Sequence, residues 1–233
     1  MSILSGHRRY CHVTTIRSDG VNPELLGMSK VISEDALRNA LKNMDAEAGM
    51  GWLDGNLSAS VIQLLDASWI LDTDTTIKPL YGKQQEGAEV SFNPKKPGRP
   101  SHAYHTYIVS PLRLVLGVEV CAGKQHTAHH AQPGLLSTLD ALPMDCKPSL
   151  VRGDTSFGND SLMKALEERK QKYLFKLKLT NNVKRFIAKL CKQPEWVDAG
   201  QGWEGNEGEL VLKGWENKRR VVYCVERLPA RKS

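Results

Sequence analysis

The sequence has no stretch of about 18 apolar residues such as a membrane-spanning helix requires. Its best apolar segment, Ile108 to Val120, is broken by Pro111, Arg113 and Glu119. It has no Cys-x-x-Cys pair either. Cys11, Cys121, Cys146, Cys191 and Cys224 are scattered along the chain, a spacing that favours free thiols in a reducing compartment over a disulfide framework. The N-terminal residues lack the apolar run of a secretory leader, and no internal repeat is visible. These absences lead us to expect a soluble, cytoplasmic protein with no membrane partner.

What is present is ordinary in amount and uneven in placement. At 233 residues, 40% hydrophobic and 25% charged, the chain has room for one good-sized domain or two small ones. The net charge is +6. Residues 1–175 hold 19 Lys or Arg against 19 Asp or Glu, and residues 176–233 hold 13 against 7. The whole excess therefore lies in the C-terminal stretch. A basic tail on a neutral body suits a polyanion such as nucleic acid, although a solvated lysine-rich face has the same composition.

The patterning predicts a helical region over 1–66 after a basic, irregular start at His7, Arg8 and Arg9. Ser33 is a suitable N-cap with Glu34 and Asp35 behind it. Leu37, Ala40, Leu41, Met44 and Ala48 then recur at helical steps, and a second helix is expected from Leu57 to Leu65. These helices suit a cap or a dimer face ahead of a DNA-reading pair, since no basic recognition helix stands out. From Ser68 the pattern turns to strands, at 69–76, 89–92, 105–110 and 112–121. Helix returns at 131–142, strand at 149–152, helix at 159–169, strand at 173–179 and helix at 181–191. Residues 200–208 are glycine-rich, and strands are expected after them at 209–213 and 219–225. Hairpin-linked strands followed by alternating helix and strand describe an α/β mixed sheet flanked by helices. The expected divisions are a helical part (1–66), the sheet domain (67–180) and a basic, β-rich piece (181–233).

Asp74 and Asp154 each stand at the end of an apolar strand. A carboxylate there is costly to bury unless it is paired or metal-bound. Two such strands side by side would offer the hard oxygen donors that Mg²⁺ or Mn²⁺ takes. A pair of such ions serves phosphoryl transfer. Strand-end turn chemistry is the better account of either acid alone, and the two readings balance only when both acids are taken together. His126, His129 and His130 lack a partner ligand at zinc-site spacing and read as a polar loop before a helix. Lys95, Lys96 and Arg99, in the proline-rich segment 94–100, are placed to contact phosphate.

The run Trp69-Ile70-Leu71-Asp72-Thr73-Asp74-Thr75-Thr76 with Pro79-Leu80-Tyr81-Gly82 resembles the first acidic block of bacterial insertion-sequence transposases of the DDE superfamily. Residues 93–102, from Asn93 to His102, are similar to a segment of one branch of that family. Arg152-Gly153-Asp154-x-x-Phe157-Gly158-Asn159 resembles the second acidic block, and Tyr173-Leu174-Phe175-Lys176-Leu177-Lys178 the strand after it. Together these blocks run through essentially the whole chain.

The resemblance implies a ribonuclease-H-like fold and Mg²⁺- or Mn²⁺-dependent cleavage and strand transfer of double-stranded DNA, at transposon ends and target. It implies a bacterial, DNA-associated setting, with a homodimer as one candidate assembly. Asp74 becomes the first catalytic metal ligand, with Asp72, two residues back on the same face, as its competitor; Asp154 becomes the second. Lys176 and Lys178 become DNA-facing. The family also has a third acid, a glutamate in a Tyr-x-x-Arg-x-x-x-Glu helix beyond a β-rich insertion. Tyr223-Cys224-Val225-Glu226 does not fit that spacing, so Glu226 reads as a strand residue. The expectation is a truncated copy, weak or inactive alone, whose alternative role is a non-catalytic DNA-binding remnant that modulates the full-length transposase.

Overall fold

Helix-forming and strand-forming patterns separate cleanly in the computed structural model, which describes residues 6, 9–65, 68–81, 85–91, 93 and 96–226. The chain divides into two compact units, Met1–Asn56 and Leu57–Ser233. His7, Arg8 and Lys95 lie outside the described residues.

The first unit is helical: α1 (His12–Ser18), α2 (Val21–Leu25), α3 (Glu34–Lys42) and the first part of α4 (Ala46–Ile62). Of the expected irregular start only Arg9 is described, in a bend before α1. Ser33 caps α3 as anticipated, its hydroxyl accepting the Ala36 N–H at 3.1 Å. Glu34 and Asp35 follow in the first turn, where the helix dipole favours acids. The helix expected from Leu57 begins eleven residues earlier, as α4 spans 17 residues. Gly49, Gly51 and Gly55 hid its start, because glycine is a poor helix former.

The second unit is built on a sheet of β1 (Ile70–Pro79), β2 (Glu89–Val90), β3 (Pro100–Val109), β4 (Leu114–Ala122), β5 (Leu150–Gly153) and β6 (Tyr173–Phe175). Antiparallel β1–β3 and β3–β4 pairs adjoin parallel β1–β5 and β5–β6 pairs. The local hairpins give the antiparallel half. The crossovers through α5 (Ala128–Ala141) and α6 (Asp160–Glu168) give the parallel half, since parallel neighbours need a long connection. This is the mixed sheet with flanking helices that the sequence predicts. Leu71, Val109 and Val151 on the strands pack with Leu135, Leu139, Leu162, Leu166 and Phe157 in one buried cluster. Each such side chain contributes about 1.5–3 kcal/mol on burial. The Tyr107 hydroxyl reaches from β3 to the Ala131 carbonyl of α5 at 3.0 Å.

Side chains alternate across a strand, so burying Leu71 and Thr73 turns Asp72, Asp74, Thr76 and Lys78 to the opposite face. His105, also on the core side, is fully buried between the Thr75 hydroxyl and the Gln125 carbonyl, at 2.9 and 2.8 Å.

The remainder corrects one expectation. The strand expected over 209–213 lies earlier, within the glycine-rich stretch: β7 (Val197–Gly200), β8 (Trp203–Leu210) and β9 (Arg219–Glu226) form an antiparallel sheet. α7 (Asn181–Leu190) packs on β8, and a Cβ at Gly208 would meet the Phe186 ring at 3.1 Å. Glycine there marks a helix's close approach. Glu226 is the last residue of β9, opposite Trp203. The strand expected over 173–179 is shorter: β6 ends at Phe175, and residues 176–179 lie outside it. The histidines expected in a loop lie partly in helix, since α5 opens at Ala128 and includes His129 and His130.

Candidate metal centre and phosphate-facing surface

The two predicted acids come to neighbouring backbone positions because β1 and β5 run parallel in a fixed register. Asp72 stands opposite Arg152 and Thr73 opposite Gly153. Asp74 and Asp154 each follow one residue beyond that last pair, where neighbouring strands run about 4.8 Å apart. Both acids are exposed. On the other side of β5, Phe175 pairs with Gly153, and the Lys176 N–H reaches the Gly153 carbonyl at 3.4 Å. Asp74, Asp154 and Lys176 therefore lie at one level across three strands.

Asp72 and Asp74 share a face but not an environment. Arg152 donates to both Asp72 oxygens, at 2.6 and 2.7 Å, and to the Ser110 hydroxyl at 3.1 Å. The guanidinium hydrogen bonds hold the Asp72 carboxyl below the usual carboxylate range, against the opposing pull of partial burial. Among the described residues, the Asp74 carboxylate accepts one bond, at 3.2 Å, from the Thr76 hydroxyl of its own strand. Asp154 accepts from the Ser156 N–H and hydroxyl, at 2.9 and 2.6 Å, through one oxygen, Oδ1.

Two glycines in the second acidic block allow the turn that presents Asp154. A Cβ on Gly153 would meet the Phe157 ring at 3.0 Å, and one on Gly158 the Lys176 carbonyl at 2.9 Å. Phe157 is fully buried beneath them. Asn159 then caps α6, its side chain accepting the Leu162 N–H at 3.0 Å.

The predicted cations fall into two groups. Lys176 and Lys178 are exposed beside the acid pair, at the edge of a cleft of about 1170 Å³ between β6, α7 and β9. Lys96 and Arg99 lie apart from it, around Tyr81, at ring-centre distances of 5.0 and 4.5 Å. The basic tail is less free than its composition indicates. Arg219 is buried, bonded to Asp160 and Glu167, each at 2.6 Å, while Arg220 pairs with Glu207 and Lys218 with Glu209. Lys184, Arg185 and Lys189 on α7 are exposed, as are Lys192 and Lys213. Sequence reasoning missed Arg219 and Tyr81, because nothing local to either signals its distant partners.

Among the described residues, no group of three or more His, Cys, Asp or Glu side chains is arranged to hold a metal ion. The donor set still fits a hard divalent cation. Mg²⁺ is commonly held by one or two carboxylates, with substrate phosphates and water completing its shell. Asp74 and Asp154 offer that pair. Among the described residues, no helix is long and apolar enough to cross a membrane.

Among solved structures, the Mos1 transposase paired-end complex with left transposon end is 12% identical, with TM-score 0.33 over 72% of this chain and 58% of that one. The piggyBac transposase synaptic complex with hairpin DNA is 13% identical, with TM-score 0.40 over 83% and 46%. The simian T-cell lymphotropic virus intasome in complex with PP2A regulatory subunit B56 gamma is 14% identical, with TM-score 0.34 over 55% and 40%. This chain spans 40–58% of the length of those three chains. No curated protein sequence matches it. The family model "Transposase DDE domain group 1" matches residues 33–231. Most of the chain lies within that match, and the protein belongs to the transposases that carry this DDE domain.

Proposed function

We propose that the protein acts in DNA transposition, and that Asp74 and Asp154 are the first two metal ligands of a DNA-cleaving and strand-transferring centre. The observation that carries this is the β1–β5 register, which puts both acids on neighbouring parallel strands with Lys176 alongside. Mg²⁺ or Mn²⁺ is the expected ion, and when bound it would polarise the phosphoryl oxygen and stabilise the charge of the displacement. Asp74 and Asp154 would hold the ion. Ser156 fixes the rotamer of Asp154, Arg152 keeps Asp72 occupied, and Lys176 and Lys178 attract the DNA backbone. Lys96 and Arg99, with Lys95, would bind phosphates further along the duplex. Residues 181–233 would begin a β-rich insertion carried beside the centre.

A second reading has its own support: the described residues bring together two carboxylates and no third ligand. Phosphoryl transfer is mostly positioning and charge stabilisation, so two acids alone are a weak centre. In that reading the chain binds DNA without cutting it and modulates a complete transposase.

One experiment addresses both. The purified chain is titrated with duplex DNA over a range of salt, then incubated with that DNA and Mg²⁺ or Mn²⁺. Affinity that falls steeply with salt supports a DNA-acting protein, and its absence rejects one. Metal-dependent nicking that Asp154→Asn abolishes supports the catalytic reading. Tight binding without nicking supports the second.

A further inference from the structure

Lys96, Pro97, Gly98 and Arg99 form a tight turn whose chemistry is written in their order. Proline presets the second position, and Gly98 takes φ +76° at the third, the pattern of a type II turn. The Arg99 N–H closes on the Lys96 carbonyl at 3.4 Å. The Asn93 side chain seats the turn by accepting the Lys96 N–H at 3.1 Å. Such a turn holds its first and fourth Cα atoms within about 7 Å, so two cations are kept close despite their mutual repulsion.

Both converge on one exposed ring. Lys96 Nζ donates to the Tyr81 phenol oxygen at 2.5 Å, and the Arg99 guanidinium lies 4.5 Å from the ring centre. Tyr81 is 66% exposed. Because Lys96 donates to the phenol oxygen, the phenol's own O–H is left to donate outward. Among the described residues, neither cation has a carboxylate partner. An ammonium, a guanidinium and a hydroxyl donor on one surface, with no acid to satisfy them, match the oxygens of a phosphate diester.

We propose that Tyr81, Lys96 and Arg99 form a preassembled clamp for a backbone phosphate of duplex DNA, outside the cleavage position. Tyr81 lies seven residues beyond Asp74 along β1 and its continuation. At about 3.3 Å per residue that is at most about 23 Å. One strand of B-DNA advances 3.4 Å per phosphate, so the clamp lies up to about seven phosphates from the acid pair. Lys78 stands between them on the same strand, 5.5 Å from the Tyr104 ring, and continues the positive track. Tyr81 gathers the cations, and the affinity of the site depends on the ring as well as on the charges.

This inference rests on the DNA-binding reading above, and its test separates the two. Fluorescence anisotropy of the full chain is followed with a labelled duplex of about 30 base pairs and with one of its strands, from about 50 to 200 mM salt. The wild type should prefer the duplex. Tyr81→Ala should weaken duplex binding about ten-fold and flatten the salt dependence by about one phosphate's worth, as should Lys96→Met. Tyr81→Phe, which keeps the ring and loses the hydroxyl, should fall between the wild type and Tyr81→Ala. Each variant should keep the wild-type melting midpoint, since the side chains are exposed. Tyr81→Ala with wild-type affinity and salt slope overturns the clamp alone. So does a Tyr81-dependent preference for the single strand, which would make the ring a stacking platform for bases. A wild type without salt-dependent affinity for either probe overturns the DNA reading and the clamp together.

Discussion

Arg152 of β5 holds both carboxylate oxygens of Asp72 on β1, at 2.6 and 2.7 Å. That pair separates two acids that the sequence leaves in competition. Asp72 is spent on a guanidinium, and Asp74, one step further along the same face, is exposed beside Asp154. Asp74→Asn should lower Mn²⁺ affinity about ten-fold or more, while Asp72→Asn should change it far less, because the Asp72 carboxylate is held by Arg152. Isothermal titration with Mn²⁺ reads the difference. Equal losses would return Asp72 to the ligand set.

Arg219 ties β9 to both ends of α6, through Asp160 and Glu167. Its side chain is only 6% exposed. Removing one member of a buried charged set leaves the others uncompensated, so Arg219→Ala should cost about 3 kcal/mol in urea unfolding. Arg219→Met, which keeps much of the volume, should cost nearly as much, because two carboxylates remain. Adding Asp160→Asn and Glu167→Gln to Arg219→Met should recover most of the loss.

The same cluster sets an acid limit. The Arg219 hydrogen bonds hold the Glu167 carboxyl below its ordinary range, and Arg152 does the same to Asp72. A carboxyl whose folded pKa is depressed stabilises the fold above its unfolded value, about 4. That contribution is lost as pH falls through the folded value. Stability should therefore drop below about pH 4, and Arg219→Met should flatten that drop.

Thr73 sits on the core side of β1 between Asp72 and Asp74, with a buried hydroxyl that has no hydrogen-bond partner among the described residues. Valine has nearly the same shape. Thr73→Val should raise stability by about 0.5–1.5 kcal/mol and leave Mn²⁺ affinity unchanged. A loss of stability would mean that the hydroxyl is satisfied.

Gly158 lets the second acidic block pass under β6. Its Cβ would meet backbone, the Lys176 carbonyl at 2.9 Å, which cannot swing aside as a side chain could. Gly158→Ala should cost about 1–3 kcal/mol, as overpacking does, and should weaken metal binding by displacing the Asp154 turn. Thermal melts with and without Mn²⁺ measure both.

Much of the sheet was legible because its strands are apolar runs cut off by acids or glycine, as at Leu71 to Asp74 and Val151 to Asp154. The parallel pairing was readable from the helix between them. The β7–β8 hairpin was not. Trp203-Glu204-Gly205-Asn206-Glu207-Gly208 has no apolar alternation, because its glycines fit against α7 and Cys224 and its acids face solvent or basic partners. The basic tail misled for a related reason. Charge counting treats Arg219 as free surface charge, and only the fold reveals that Asp160 and Glu167, more than fifty residues earlier in the sequence, neutralise it. Tyr81 escaped notice because its partners arrive through a turn fifteen residues away.

The central claim is that Asp74 and Asp154 share one divalent cation. A double-mutant cycle in Mn²⁺ affinity on the full chain tests it most directly, with Asp74→Asn, Asp154→Asn and the two combined, followed by electron paramagnetic resonance of free Mn²⁺. A shared ion predicts that each single substitution loses nearly as much as the pair, leaving a coupling of at least about 1 kcal/mol. Losses that simply add, or wild-type affinity in either single variant, would contradict it.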